Sequence, residues 1–395
     1  MAFLWYILSM KINTDPKKIE EILSQGVEEI INKEHLRSAL SSGKQLRVKL
    51  GIDPTAPDLH LGHAVPLRKL RQFQNAGHVA VLIIGDFTAR IGDPSGRTEV
   101  RKPLTPKEIE KNLKNYLAQA GKILDIKKTE IRRNSEWLDK PGLLIELAQI
   151  GTVQQVMRRS DFKNRLDAGL DVFIIEAFYP LMQGYDSVAV KADIELGGID
   201  QKLNLLMGRK VQRHFGLSEQ DVMMFPFLEG LDGKKKMSKS YGNYIGLNDL
   251  PAEMFGKTMS VPDNLITKYF TLCTDLSPEK NTNPYDAKIL LAHEIVKIYH
   301  GEKAAQEAQK SFTKTFQKKE IPEDLPEIIA QKGEFLSDIL VREKIVKSKS
   351  DFGRLIEEGA ITNLETLEKP QAKGYKLQTS LILRVGKKRF VKIVV

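Results

Sequence analysis

The 395-residue chain predicts an α/β protein. A doubly wound, parallel-sheet (Rossmann-like) domain is expected over residues 1–245, a helical domain over 246–315, a linker over 316–333 and a small α+β domain over 334–395. Three observations carry this reading. Residues 45–52 alternate and are rich in strand formers, and a short turn segment leads from them into a helical pattern. Residues 78–85 hold an unbroken apolar run, as in a strand covered on both faces of a parallel sheet. Near the C-terminus, two alternating runs at 377–385 and 389–394 flank Gly386-Lys387-Lys388, which is a hairpin signal.

The elements follow in order. Residues 2–9 are apolar, lack a basic flank and a small-residue cleavage site, and are too short to span a bilayer. Residues 1–9 therefore read as extra N-terminal sequence, with Met10 opening an ordinary cytosolic chain. Residues 64–75 place Val65, Leu67, Leu70 and Phe73 near helical spacing, and Pro66 is expected in the first turn, where its missing N–H costs little. Residues 103–150, 165–190 and 199–215 read as mainly helical, as do 251–315, with Pro251, Pro262 and Pro284 marking breaks. Residues 336–359 read as two short helices, the second capped by Ser350 or Asp351 and stopped by Gly359.

Composition narrows the function classes. Hydrophobic residues at 41% and charged residues at 28% fit a globular domain rather than a disordered or membrane-spanning chain. Cys273 is the sole cysteine, so an intramolecular disulfide and a cysteine-based zinc site are both excluded, in keeping with a reducing cytoplasm. The net charge of +10 favours a polyanionic partner, and half of it sits in 334–395, where 13 Lys and Arg face 8 Asp and Glu.

Two motifs carry chemistry. Lys236-Met237-Ser238-Lys239-Ser240 puts two ammonium groups and two hydroxyls on a glycine-flanked loop that can close over an anion. Alone, the run 234–236 also fits a solvated charge run or a nuclear-localisation stretch. Pro54-Thr55-Ala56-Pro57-Asp58-Leu59-His60-Leu61-Gly62-His63 lies between the first strand and its helix. Free backbone N–H groups and the positive dipole end there favour a phosphate, and Gly62 lets a ligand come close. Taken alone, His60 and His63 also fit a pair of metal ligands, or capping or core histidines. There is no G-x-G-x-x-G dinucleotide fingerprint, and Gly92–Thr98 falls one residue short of a P-loop, with arginine in place of lysine.

Together these motifs resemble the two signatures of class I aminoacyl-tRNA synthetases. More narrowly, residues 10–395 resemble the bacterial tyrosyl-tRNA synthetases, through Gly51-Ile52-Asp53-Pro54-Thr55, Gly92-Asp93-Pro94-Ser95-Gly96, Tyr179-Pro180-Leu181-Met182-Gln183-Gly184-Tyr185-Asp186 and Gly197-Gly198-Ile199-Asp200-Gln201. The resemblance implies ATP as substrate, with Mg²⁺ carried on it and no protein-bound metal. It also implies L-tyrosine and tRNA(Tyr) as partners, a homodimer, and a cytoplasmic, membrane-free enzyme. His60, His63, Lys236, Lys239, Ser240, Arg97 and Arg101 are then the expected catalytic set. Gly51, Asp53, Thr55, Gly62, Gly198 and Asp200 join His60, His63 and Lys239 around ATP. Thr88, Asp93, Tyr179, Gln183, Asp186 and Gln201 are expected around tyrosine, with Asp186 accepting from the phenol. Many relatives carry a tyrosine where this chain has Lys49, so a second phenol contact does not carry over. The helical domain is expected to bind the anticodon. Residues 334–395 resemble a small RNA-binding module through Arg354–Ala360, with Phe352-Gly353 departing from its usual alanine-arginine pair. Two rivals share the motifs: a tryptophanyl enzyme, and an RNA-binding protein that kept the fold without the activity.

Overall fold

The computed structural model describes residues 11–395 except 56, 94–103, 158–159, 278–281, 318–324, 365–373 and 387–388. Arg97 and Arg101 thus lie outside the described residues. The chain divides into two compact units, Met1–Ala308 and Gln309–Val395.

The first unit is built on six strands: β1 (Glu29–Ile31), β2 (Arg47–Ile52), β3 (Val79–Ile84), β4 (Thr129–Arg133), β5 (Ile194–Gly198) and β6 (Asp221–Phe225). Their order is β1-β6-β5-β2-β3-β4, and every neighbouring pair is parallel except β1 with β6. The apolar run at 79–84 becomes β3, buried at all six positions. Val79, Val81 and Ile83 join one core with Trp137, Leu181, Met182 and Val211. The helix Leu61–Asn75 packs on β2, β3 and β5. The helices Ile174–Ala189 and Lys202–His214 pack closely because Gly184 has no side chain: a Cβ there would stand 2.7 Å from Val211 Cγ2 and 3.2 Å from Gly208 Cα.

The structure corrects several expectations. Residues 129–133 form an edge strand inside a stretch that reads as helical. The sequence Thr-Glu-Ile-Arg-Arg has one apolar residue, and pairing with β3 decides its conformation. The helix after the first motif starts at Leu61, with His60 as its cap, so Pro66 is its sixth residue and not in its first turn. Its ring removes the N–H that the Gly62 carbonyl would accept. The helices after residue 246 are continuous with the sheet up to Ala308 and form no compact unit of their own. They are tied in by Leu247 N–H to the Leu59 carbonyl at 3.0 Å, by Lys122 Nζ to the Leu247 carbonyl at 2.7 Å, and by the helix Ile266–Cys273 packed on Leu61–Asn75.

The second unit has a four-stranded sheet of β7 (Glu327–Ile329), β8 (Ile361–Asn363), β9 (Leu381–Val385) and β10 (Arg389–Val394), in the order β7-β10-β9-β8. β9 and β10 are antiparallel, as the hairpin signal requires. β7 falls within the expected linker, yet its backbone pairs in parallel with β10. The helices Leu336–Arg342 and Lys349–Glu357 close the core through Leu336, Ile339, Leu340 and Phe352. The cap of the second helix is Ser348, whose Oγ accepts from Asp351 N–H at 3.1 Å. Neither Ser350 nor Asp351 can serve, because both already lie within the helix.

Candidate active site

Going outward from β2, the chain builds β3 and β4 on one side and β5 and β6 on the other. Such a reversal opens a crevice beyond the carboxyl ends of the strands. The segments that follow β2 and β5 hold Asp53, Thr55, His60, His63, Asp200 and Gln201, and the loop after β6 holds Lys236, Lys239 and Ser240.

His60 is extended (φ −131°, ψ 172°) and buried, and His63 sits one turn later. The His60 N–H donates to His63 Nδ1 at 3.3 Å, and the ring centroids are 3.9 Å apart. Gly62 lies between them. A Cβ there would stand 3.1 Å from the His60 ring and 3.8 Å from Met237 Cβ, so the first motif touches the second. The backbone joins them too: Leu61 N–H donates to the Ile245 carbonyl at 3.0 Å, and His60 forms a bridge with Gly246.

Met237 anchors the lysine-serine loop. Its side chain is buried, its N–H donates to the Leu228 carbonyl at 2.8 Å, and the Ser238 N–H donates to Asn243 Oδ1 at 2.8 Å. The two lysines flanking this anchor reach different walls. Lys236 Nζ lies 2.6 Å from Asp200 Oδ2 beyond β5, and Lys239 Nζ lies 2.8 Å from Asp58 Oδ2 ahead of the histidines. Ser240 is exposed on the loop, its N–H donating to Ser238 Oγ at 3.3 Å. Lys239 also lies 5.7 Å from the centre of the Tyr244 ring. Burial pushes the His60 imidazole far below its ordinary range, helped by His63, Lys236 and Lys239. Burial and the same lysines push His63 down to about 4. Both rings are therefore neutral near pH 7.

Nearer the sheet lies a polar set. Asp53 accepts from Tyr179 OH at 2.9 Å and Thr88 Oγ1 at 2.8 Å, which places it among the residues expected around tyrosine as well as beside the nucleotide set. Burial, then Asp53, raises the Tyr179 phenol well above its ordinary range, so it stays a donor. Gln201 Nε2 donates to Asp93 Oδ2 at 2.6 Å. Asn204 Nδ2 donates to Gln201 Oε1 at 2.8 Å and to Gln183 Oε1 at 3.1 Å. Asp186 is buried and accepts from Trp137 Nε1 at 2.8 Å. Burial pushes its carboxyl up to about 7 against the pull of Lys49. Thr55 N–H donates to the Asp53 carbonyl at 2.8 Å. Gly51 is exposed, and a Cβ on it would meet nothing within 4 Å, so packing does not demand glycine there. Gly198, partly buried, ends β5 just before Asp200.

Sequence reasoning missed Asn134, Trp137, Glu195 and Asn204. Asn134 Nδ2 donates to Thr88 Oγ1 at 3.0 Å and its Oδ1 accepts from the Phe87 N–H at 2.9 Å, which fixes the loop after β3. Among the described residues, no group of three or more His, Cys, Asp or Glu is placed to hold a metal ion. Among them, too, no helix is long and apolar enough to cross a membrane.

The family model described as tRNA synthetases class I (W and Y) matches residues 41–317, and the chain belongs to that family. It is 48% identical over 398 residues to the tyrosine–tRNA ligase of Thermotoga maritima, covering 96% of this chain and 98% of that protein. It is also 48% identical over 404 residues to the tyrosine–tRNA ligase of Carboxydothermus hydrogenoformans, with 96% and 98% covered. Two crystal structures share its fold. One is a C-terminally truncated mitochondrial tyrosyl-tRNA synthetase of Aspergillus nidulans (TM-score 0.65, 22% identity, 76% of this chain and 94% of that one). The other is the Archaeoglobus fulgidus tyrosyl-tRNA synthetase complexed with L-tyrosine (TM-score 0.61, 23% identity, 75% of this chain and 100% of that one).

The histidine environment makes a testable prediction. Unfolded imidazoles take up protons that the folded rings refuse, so stability is expected to fall as pH drops from 6.5 towards about 4. Ring-nitrogen NMR of the folded protein should show His60 neutral across this window and His63 gaining its proton only towards the lower end. Titration of both near 6.5 would contradict the site's electrostatics.

Proposed function

We propose that the chain acts as a tyrosine–tRNA ligase. It activates tyrosine with ATP to tyrosyl-adenylate and pyrophosphate, then transfers tyrosine to the 3'-terminal adenosine of tRNA(Tyr). The observation that carries this reading is the meeting of the two motifs at Gly62 and Met237, with Lys239 against Asp58.

The attacking carboxylate of tyrosine is already a nucleophile, so activation needs no protein base. It needs alignment, and charge stabilisation as pyrophosphate departs. Neutral imidazoles suit the first turn of a helix as hydrogen-bond donors to phosphate and ribose oxygens. Lys236, Lys239 and Ser240 take the departing pyrophosphate, with Arg97 and Arg101 assigned to the same task by resemblance. Gly51 and Gly62 allow close approach of ATP. Asp53, Thr55, Gly198 and Asp200 line its ribose side, and Mg²⁺ arrives as its counter-ion. At the other end, Asp93 pairs with the α-ammonium of tyrosine, braced by Gln201 and Asn204. Thr88, Tyr179 and Gln183 shape that end, and Asp186 accepts from the phenol. Transfer to tRNA again depends on proximity.

The finer assignments belong to the same reading. Residues 246–315 bind the anticodon region, and the basic second unit binds RNA. The chain works as a cytoplasmic homodimer. Exposed Ile145, Val153, Phe173 and Ile174 support a dimer, being large apolar side chains close together in sequence.

Because the family includes tryptophan enzymes, amino-acid selectivity is the first test. Pyrophosphate exchange into ATP is expected with tyrosine alone. Exchange with tryptophan instead, or with no amino acid at all, would overturn the reading. Deleting 318–395 is expected to spare this exchange while weakening tRNA charging, by a factor that is largest at low salt and shrinks as salt rises. Charging that survives the deletion unchanged would remove the RNA-binding role of the tail.

A further inference from the structure

The amino-acid site contains a charge that the proposed chemistry does not use. Lys49, in the middle of β2, is 0% exposed and stands directly opposite Glu195 of β5, which is 1% exposed. Two opposite charges buried in apolar strands are rare without a role to fix them there. An ammonium has three N–H donors, and here all are committed: to Glu195 Oε1 at 2.8 Å, Ser187 Oγ at 2.7 Å and the Gln183 carbonyl at 3.0 Å. Lys49 therefore cannot stand in for the missing tyrosine as a second donor to a substrate phenol.

Its partners show what it does instead. Gln183 and Ser187 lie one turn apart on the helix Ile174–Ala189, on either side of Asp186. Glu195 completes the clamp, accepting from Gln183 Nε2 and Ser187 Oγ, each at 3.1 Å, and from Gln220 Nε2. Gly208 leaves room for this carboxylate, since a Cβ there would stand 3.1 Å from Glu195 Oε2. The groups facing Asp186 are Lys49 from β2, Glu195 from β5, Trp137 and Asn134 from the segment after β4, and Tyr179 from its own helix. Lys49 is the one cation among them. Without it, two carboxylates would share a dry region, and protonation would be the cheapest relief.

We propose that Lys49 is a specificity-determining positioning residue of the amino-acid site: through Gln183, Ser187 and Glu195 it fixes the helical turn that carries Asp186, the acceptor for the phenolic hydroxyl. This rests on the tyrosine reading above. A buried acceptor held in place and left unpaired penalises phenylalanine, and one free to move away does so less.

The test compares the parent enzyme with Lys49→Met and with Lys49→Met/Glu195→Gln. The double variant removes the pair without leaving a lone buried charge, which favours retention of the fold. Pyrophosphate exchange is measured with tyrosine and with phenylalanine between about pH 6 and 9. Both variants are expected to lose about tenfold or more in the tyrosine-to-phenylalanine ratio of kcat/KM, the size of one hydrogen bond to a charged group. The loss should fall mainly in KM for tyrosine, with KM for ATP unchanged. The acidic limb of tyrosine KM should move to higher pH. Folded variants that keep the parent's ratio and pH profile would overturn the inference and leave the pair a packing device. If the parent itself shows no exchange with tyrosine, the functional reading fails instead.

Discussion

The reversal of sheet growth between β2 and β5 is the constraint on which the site depends. Two parallel strands that continue in opposite directions leave a gap past their carboxyl ends, and no intervening crossover fills it. Asp53 emerges from β2 into that gap, and Asp200 emerges from beyond β5. The rest of the site is brought there by contacts between distant segments. Lys236 reaches Asp200, Lys239 reaches Asp58, and Met237 packs against the glycine between the histidines. These contacts also explain why the helices after residue 246 form no separate body. The chain passes directly from the lysine loop into backbone pairing with residues 59–61.

Two layers of polar groups divide the labour. The outer layer pairs neutral histidines with partly solvated lysines, and it suits an anion that binds and leaves. The inner layer is a hydrogen-bonded chain from Glu195 through Gln183, Asn204 and Gln201 to Asp93. Fully buried at Glu195 and Asn204, partly buried elsewhere and hydrogen-bonded throughout, it suits a rigid mould for a small molecule. Lys49 lies at the inner end of that chain, which is why its charge bears on selectivity rather than on phosphate chemistry.

Much of this was legible in the sequence, for physical reasons. β3 is apolar at every position and the C-terminal hairpin has its turn residues in place, so local pattern and tertiary context agree; β2 alternates in sequence but buries Val48, Lys49 and Leu50 alike. β4 was not legible, because Thr129–Arg133 is polar and becomes a strand only by pairing at the sheet edge. Pro66 was misplaced because the helix begins at Leu61, where the pairing of His60 with Gly246 sets its start. In the site, the residues of the motifs could be named by resemblance, but their supports could not. Asn134 and Asn204 look like ordinary polar residues, and only coordinates show that each bridges two others. Lys49 and Glu195 did leave a signal: Glu195 is the one charge in β5, and Lys49, of opposite sign, stands between the apolar Val48 and Leu50 of β2. Buried strands seldom tolerate one such residue unless the other faces it.

The central claim is that the histidine turn and the lysine loop serve one triphosphate. A crystal structure with a non-hydrolysable ATP analogue tests it most directly. The account predicts phosphate oxygens within about 3 Å of donors from both His60–His63 and Lys236–Lys239. A nucleotide bound elsewhere, or held by one cluster alone, would contradict it.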